Sequence, residues 1–458
     1  MSEYRDHLST VADDGHRVWV YPQFIQGWYQ HRRKIVAWVL LTMLFAGPWI
    51  RIGGEPLLML NIVDREFAVL GQLFFPEDTF IFAWMMITLF VVIIVTTVVF
   101  GRVFCGWVCP QTIFLEFVFR PIERWLEGNH TQQRRLDAGP WNWNKIWRKG
   151  VKWSAFFAVS FAISHTFLAY IIGSEALLKL QTDPWNEHLT DLFYLLLFTG
   201  VFYFVFAWMR EQVCTAVCPY GRLQGALVDD NTLNVAYDEG RGEPRGKLKN
   251  GSIADNGDCV DCNLCVRVCP TGVDIRNGLQ LECIHCTACI DACDGIMDAL
   301  GKPRGLIRYA SAQNLETGRA FRVTRRAMAY LGVMTIMVLV LSGFLAFRSP
   351  VEFNVFRTAG FIPRADESGQ VTNMYTFSVL NKTTDSIWLN LDIETEGYAL
   401  ETVHGDSLLL PAKERVEGVF LLQGAGQPGL LKDDVRISVN AGARTVGKAR
   451  SSFTRPFH

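Results

Sequence analysis

The sequence predicts a multi-domain membrane protein. It reads as a five-helix α-helical transmembrane region, an α+β bacterial-type two-cluster ferredoxin domain, and a C-terminal all-β immunoglobulin-like sandwich. Three observations carry this. Five apolar stretches, roughly 35–50, 80–100, 153–173, 192–209 and 328–347, approach the length of about 20 residues that a bilayer requires. Eight of the 12 cysteines fall between residues 259 and 293. From about residue 350 the apolar pattern changes to alternation, the signature of half-buried strands.

The chain has 458 residues, 50% of them hydrophobic, and a formal net charge of -1. No concentrated basic face argues for nucleic acid. The informative charge is local. Residues 1–33 are polar and read as a mobile cytoplasmic arm. The first apolar stretch is short, with Arg33, Lys34 and Arg51 able to snorkel at its ends. It is not expected to be a cleaved signal peptide, because the polar arm precedes it and no small-residue cleavage site follows. Lys and Arg concentrate at 102–152 and 210–326, whereas the 52–79 loop has only Arg65 and the 174–188 loop only Lys179. Basic loops stay on the cytoplasmic side. The expectation is therefore a bacterial inner-membrane protein with its N-terminus inside and its C-terminal domain outside. The domains expected are the arm at 1–33, four spans within 34–209, a cytoplasmic linker and ferredoxin domain at 210–326 (core 255–300), a fifth span at 327–348 and the external sandwich at 349–458.

Between the spans, residues 56–76 are semi-apolar and read either as an amphipathic segment on the outer face or as a packed loop. Trp125, Trp141, Trp143 and Trp147 lie among basic residues, which suggests an anchor at the inner interface. His165, beside Ser160 and Ser164 in the third span, is either a functional group or a helix–helix hydrogen bond. His188 and Asp191 fall near the outer end of the fourth span, and Met59 and Met85 are isolated soft side chains. Residues 238–258 are Gly-rich and charged, as in a flexible linker. Their Gly-Lys lacks the spacing of a phosphate loop.

The cysteine runs assign the chemistry. Cys259, Cys262, Cys265 and Cys269, and again Cys283, Cys286, Cys289 and Cys293, read C-x2-C-x2-C-x3-C. Three close thiolates wrap one corner of a 4Fe-4S cubane, and the fourth cysteine of each run ligates the other cluster. One cluster is thus assigned to Cys259, Cys262, Cys265 and Cys293. The other takes Cys283, Cys286, Cys289 and Cys269. Zinc sites use two separated pairs instead, and His285 reads as a neighbour of the second cluster. The expected topology keeps every cysteine on the reducing side, which argues against structural disulfides.

The remaining four cysteines form a second repeat. Cys105-x3-Cys109-Pro110 follows the second span and Cys214-x3-Cys218-Pro219 the fourth, with Arg102 and Arg210 just before them. Four-residue spacing on a helix presents both thiols on one face. Such pairs suit a soft metal such as Cu(I), can join around one ion or cluster, or can carry out thiol chemistry. Buried apolar cysteine is the bland alternative. The tail alternates at 373–381, 386–393, 415–422 and 434–440, with turn signals at Asn381-Lys382, Gly405-Asp406 and Pro428-Gly429, and contains no cysteine.

Two C-x3-C-P motifs, a two-cluster ferredoxin and an external immunoglobulin-like tail together resemble the cytochrome c oxidase accessory proteins called CcoG, FixG or RdxA. The resemblance covers nearly the whole chain. It implies a role in maturation of cbb3-type cytochrome c oxidase, with reduction of Cu(II) to Cu(I) for the oxidase's copper site. Cys105, Cys109, Cys214 and Cys218 would bind and reduce copper, and the eight ferredoxin cysteines would pass the electrons through two 4Fe-4S clusters. The implied partners are the lipid bilayer, oxidase assembly components or copper chaperones and transporters, and an electron donor. Self-association is left open. Asp294 departs from the proline that many ferredoxins place after the fourth cysteine. A quinol dehydrogenase subunit and a non-catalytic assembly scaffold are the rival readings.

Overall fold

The computed structural model describes residues 9–12, 14–61, 66–69, 71–183, 189–247, 257–278, 280–318, 324–366, 370–402, 405, 407–425, 432–442 and 444–455. The chain divides into two compact units, residues 1–49 with 84–339 and residues 50–83 with 340–458.

Among the described residues, five helices are long and apolar enough to cross a bilayer: Thr79–Phe100, Val103–Glu127, Trp143–Ile172, Leu189–Met209 and Arg325–Ala346. Four coincide with the expected stretches. The first stretch does form a helix, Trp28–Ala46, but Arg32, Arg33 and Lys34 in it keep it out of this set. The remaining member of the set, Val103–Glu127, falls where the sequence predicts a basic loop, and both its ends lie on one side: Gly106 beside Ile284 and Cys286 of the ferredoxin, Glu123 paired with Arg210. As far as Phe119 that segment carries one charge, Glu116, and the rest gather in its last turns. Phe119 lies against Phe156 and Phe206, with ring centroids at 4.8 and 4.5 Å, at the centre of a core that includes Ala37, Leu41 and Ile163. Such aromatic contacts add to the area they bury.

The charges that disguised this helix are paired inside the first unit. Arg210 donates Nη1 and Nη2 to the two carboxylate oxygens of Glu123 at 2.8 and 2.9 Å. Glu127 takes Lys149 and Lys152, both at 2.9 Å. Pairing of this kind offsets the cost of taking these charges out of water. Arg33 does not snorkel: it is 1% exposed and donates Nε to the Gly106 carbonyl at 3.0 Å. By contrast Trp125, Trp141, Trp143 and Trp147 are all exposed, as an interfacial belt requires. His165 packs on Phe161, centroids 4.6 Å apart, and Asp191 lies in the first turn of the fourth of these helices. His188 lies outside the described residues.

The N-terminal arm is not a mobile tail where it is described. Ser9 Oγ donates to the Thr271 carbonyl at 2.7 Å, and Gln23 N–H to the Arg267 carbonyl at 2.7 Å. The Asp291 carboxylate accepts the Tyr29 and Gln30 N–H groups at 3.1 and 2.7 Å. Those are orphan donors of the first turn of Trp28–Ala46, which a carboxylate both satisfies and stabilises. Part of the expected linker, 248–256, lies outside the described residues. Its described flank at Asp258 is tied to Arg241 and Lys302 at 2.6 and 3.0 Å.

In the second unit, the tail forms the expected sandwich. One sheet runs Tyr398–Thr402, Arg415–Gly424, Val371–Asn381, Val351–Arg357, with Arg364–Ala365 paired to Val371–Asn381. The other runs Leu408–Leu410, Ile387–Ile393, Lys432–Ala441, Arg444–Thr454. Alternate side chains, including Tyr375, Phe377, Phe420, Ile437 and Phe453, fill the space between them. The Pro428-Gly429 turn lies outside the described residues. The 56–76 segment resolves in favour of a packed loop. Leu58–Asn61, Glu66–Val69 and Gln72–Phe74 form an antiparallel sheet whose Met59, Ala68, Leu73 and neighbouring Phe75 pack on Leu380. Met59 is therefore a core side chain. Asp78 accepts from Lys382 at 2.7 Å and from Arg348. Burial alone would raise this carboxyl, but the two cations more than offset it and hold it below the usual carboxylate range.

Candidate metal centres

The two cysteine runs fold alike. In each, the residues on both sides of the middle cysteine adopt positive φ: Asp261 and Asn263 around Cys262 (49° and 57°), His285 and Thr287 around Cys286 (51° and 63°). Positive φ is uncommon outside glycine, and for β-branched Thr287 it is strained. Strain repeated at equivalent positions marks a functional loop. A short helix follows each loop, Leu264–Arg267 and Ala288–Ala299. The first run stops at Cys269-Pro270. The second continues in helix past Cys293 to Ala299, which accounts for Asp294, since a proline there would remove a helical N–H. The Asp294 carboxylate instead accepts the Gly305 N–H at 2.9 Å.

The structure brings the cysteines together around two cavities, each drawing on both runs. Cys259, Cys262, Cys265 and Cys293 line one cavity. Cys269, Cys283, Cys286 and Cys289 line a second, and Cys265 borders both. Four thiols per cavity suit an iron–sulfur cluster. Among the described residues, no three His, Cys, Asp or Glu side chains converge closely enough to hold a single ion. All twelve cysteines are free of disulfides. Burial pushes the Cys265, Cys283 and Cys293 thiols up to about 12. They become thiolates through metal binding, which releases the protons.

The C-x3-C-P motifs are not the continuous helix that would put both thiols on one face. Cys109 and Cys218 are extended (φ -58°, ψ 124° and φ -67°, ψ 115°), and each precedes a proline that starts a new helix, Pro110–Phe114 or Pro219–Leu227. A residue before proline is driven out of the helical region. Each motif closes instead with a wide turn, Cys109 N–H to Phe104 carbonyl at 2.9 Å and Cys218 N–H to Val213 carbonyl at 2.8 Å. The repeat extends back four residues, to positive φ at Gly101 (58°) and Arg210 (52°). Arg102 and Arg210 are thus not equivalent, as the sequence suggested.

The four thiols of these motifs share one neighbourhood. Burial pushes Cys214 up to about 12, with Cys109, Cys105 and Cys218 adding to the shift and Arg102 opposing it. Gln224 Nε2 donates to Cys105 Sγ at 3.4 Å. The first motif also presses on the second ferredoxin loop. A Cβ at Gly106 would lie 2.4 Å from the Ile284 carbonyl oxygen and 3.0 Å from the Cys286 nitrogen. Cys105 packs in one cluster with Ile284, Cys286 and Ala288. His285 joins the two motifs: Arg102 N–H donates to its Nδ1 at 3.1 Å, and burial, then Arg102, lowers the imidazole to about 4. Sequence reasoning missed Arg33, Gly106 and Gln224. Only Gly106 carried a signal, as a glycine inside a metal-type motif, where close backbone approach is its usual reason.

Comparison with known proteins agrees with this geometry. Residues 82–129 match a family model described as a 4Fe-4S binding domain, residues 209–312 a 4Fe-4S dicluster domain, and residues 341–456 the IG-like fold at the C-terminal of FixG. The nitrogen fixation protein FixG of Rhizobium meliloti (strain 1021) is 33% identical over 433 residues, 85% of this chain and 81% of that protein. Protein RdxA of Cereibacter sphaeroides is 31% identical, over 96% of this chain and 97% of that protein. The chain belongs to the FixG family. Protein RdxB of Cereibacter sphaeroides, another relative, is 32% identical over 89% of this chain and 90% of its own length. This member of the FixG family is an iron–sulfur electron-transfer protein of the membrane.

Proposed function

We propose that this FixG-family protein carries electrons through two 4Fe-4S clusters to the C-x3-C-P cysteines, where Cu(II) is reduced to Cu(I) for cbb3-type oxidase maturation. Cys259, Cys262, Cys265 and Cys293 hold one cluster, and Cys283, Cys286, Cys289 and Cys269 the other. The ferredoxin domain faces the cytoplasm and the sandwich the periplasm. The observation that carries the reading is the backbone contact of Gly106 with Ile284 and Cys286. It sets the first C-x3-C-P motif directly against a cluster loop, which makes it the natural outlet for an electron. Clusters supply one electron at a time. One electron to Cu(II) leaves Cu(I), which soft thiolates stabilise.

The test is the full-length protein in detergent with Cys105, Cys109, Cys214 and Cys218 changed to Ser. It should keep its cluster absorbance yet lose cupric reductase activity and Cu(II)-driven oxidation of dithionite-reduced clusters. Undiminished copper reduction would overturn the assignment. A second reading is that these four cysteines jointly hold a further 4Fe-4S cluster. It is favoured by the 4Fe-4S family model over 82–129, which contains Cys105 and Cys109. In that case the same variant loses one cubane of iron and sulfide relative to wild type.

A further inference from the structure

The two ferredoxin cavities share a backbone but differ in the charges around them. At the cavity of Cys269, Cys283, Cys286 and Cys289, Arg33 is within electrostatic reach of Cys286 and Arg102 of Cys283. Both guanidiniums are buried, and neither forms an ion pair among the described residues. Arg33 donates to the Gly106 carbonyl at 3.0 Å and to Gln30 Oε1 at 3.1 Å, and its Nη2 has no hydrogen-bond partner among the described residues. Arg102 donates to the Leu281 carbonyl. A third cation, Arg120, is faced by Glu116 and Glu211. The nearby carboxyls are buried Glu282, which precedes Cys283, and Asp291, already engaged with two backbone N–H groups.

The other cavity has the opposite balance. Its cation, Arg276, is matched by Asp261 and by Asp274, each at 2.7 Å. Asp294 adds a further negative charge within reach of Cys293. This cavity also reaches the surface, where Cys262 is exposed.

We propose that Arg33 and Arg102 hold the cluster of Cys269, Cys283, Cys286 and Cys289 at a higher reduction potential than the cluster of Cys259, Cys262, Cys265 and Cys293. Electrons then enter at the Cys262 end and collect beside Cys105. Reduction adds one negative charge to a group already wrapped in four thiolates. Net charge, hydrogen bonding and exposure set the potential of such a group. Burial alone opposes the added charge. An unmatched guanidinium favours it, more strongly in a low-dielectric interior than in water, and arginine does not shed its proton to escape. Arg33 and Arg102 are positioning residues in this scheme, acting on the cluster through the field they set.

The proposal rests on the ligand assignment above and is read by redox titration of the full-length protein in detergent, followed by EPR, with iron and sulfide per chain measured first. Wild type should reduce in two steps. Arg33→Gln should move the upper step to more negative potential and leave the lower step in place, while Arg33→Lys, which keeps the charge, should stay near wild type. Asp294→Asn should raise the lower step alone. A shift of the lower step in Arg33→Gln, no shift of either, or a shift of the upper step in Asp294→Asn would overturn the ordering. If Arg33→Gln loses its clusters, Arg102→Gln and Asp294→Asn decide the matter. No copper is present in the titration, so its failure leaves the cupric reading untouched, and loss of copper reduction leaves the ordering untouched.

Discussion

The two C-x3-C-P motifs share how their backbone starts and ends but have different neighbours. Both close a wide turn onto the residue five back, both break before a proline, and both carry positive φ four residues ahead of the first cysteine. Yet the first places Gly106 against the ferredoxin backbone, where the second places Thr215, whose hydroxyl turns back to the Glu211 and Gln212 carbonyls at 3.5 Å. The first has Gly101 at its positive-φ position, and the second has Arg210, locked to Glu123. The motif thus dictates how the thiols are presented. The residues between and before them decide what each half is attached to: the first to a cluster loop, the second to the buried charges of the helices.

If that division is right, the two motifs should break differently. The largest effect is expected at Arg210. Arg210→Ala leaves Glu123 buried with Lys152, at 3.7 Å, as its remaining ion-pair partner among the described residues. Losing one partner of a buried pair costs about 3–5 kcal/mol, so the melting temperature in detergent should fall sharply, and Glu123→Ala should do the same. A double variant much less damaged than the sum of the two would confirm that they act as a pair. Next is Gly106→Ala. Its new Cβ meets backbone atoms, which cannot swing aside, and overpacking of this kind costs about 1–3 kcal/mol. The expected outcome is loss of iron and sulfide from the cluster nearer Cys105 and slower Cu(II)-driven cluster oxidation. Thr215→Ala, the matching change in the second motif, should leave iron content at the wild-type value. Equal loss from both would dissolve the contrast.

Much of this was legible in the sequence for a simple reason: it is local. Cysteine spacing determines which thiols can share a cavity. Alternation over 373–381 follows from a strand with one buried face, and the Val371–Asn381 strand obeys it. What was not legible depends on partners far along the chain. Arg120, Glu123 and Glu127 make the end of Val103–Glu127 look like part of a charged loop, because Glu211, which faces Arg120, and Arg210, Lys149 and Lys152, which pair with the two glutamates, lie well downstream. The arm looked mobile because the carboxylate that fixes Tyr29 and Gln30 is Asp291. Arg33 looked like a snorkelling cation because nothing local announces Gly106. Loop 56–76 reads two ways on its own because Leu380, which its apolar side chains pack on, lies about 300 residues downstream.

A smaller effect should separate the motifs at their thiols. Gln224 touches Cys105 Sγ at 3.4 Å, and its Oε1 has no hydrogen-bond partner among the described residues. A typical hydrogen bond contributes about 0.5–1.5 kcal/mol net. Gln224→Leu should therefore leave the fold and cluster content intact and change the rate of Cu(II)-driven oxidation modestly. An unchanged rate would remove Gln224 from the site.

The smallest effect tests what the motifs share. Pro110 and Pro219 each occupy the first position of a helix, where the missing N–H costs nothing and the ring restricts the unfolded chain. Replacing either by Ala should cost only about 0.4–1 kcal/mol by that route. Each substitution also frees the preceding cysteine to become helical, since the steric bar before proline is lifted. Because Cys109 and Cys218 have the same extended backbone, Pro110→Ala and Pro219→Ala should lower stability alike and weaken Cu(I) retention alike, measured by competition with a Cu(I) chelator. A large difference between them would mean that the surroundings, and not the common backbone, hold the thiols in place.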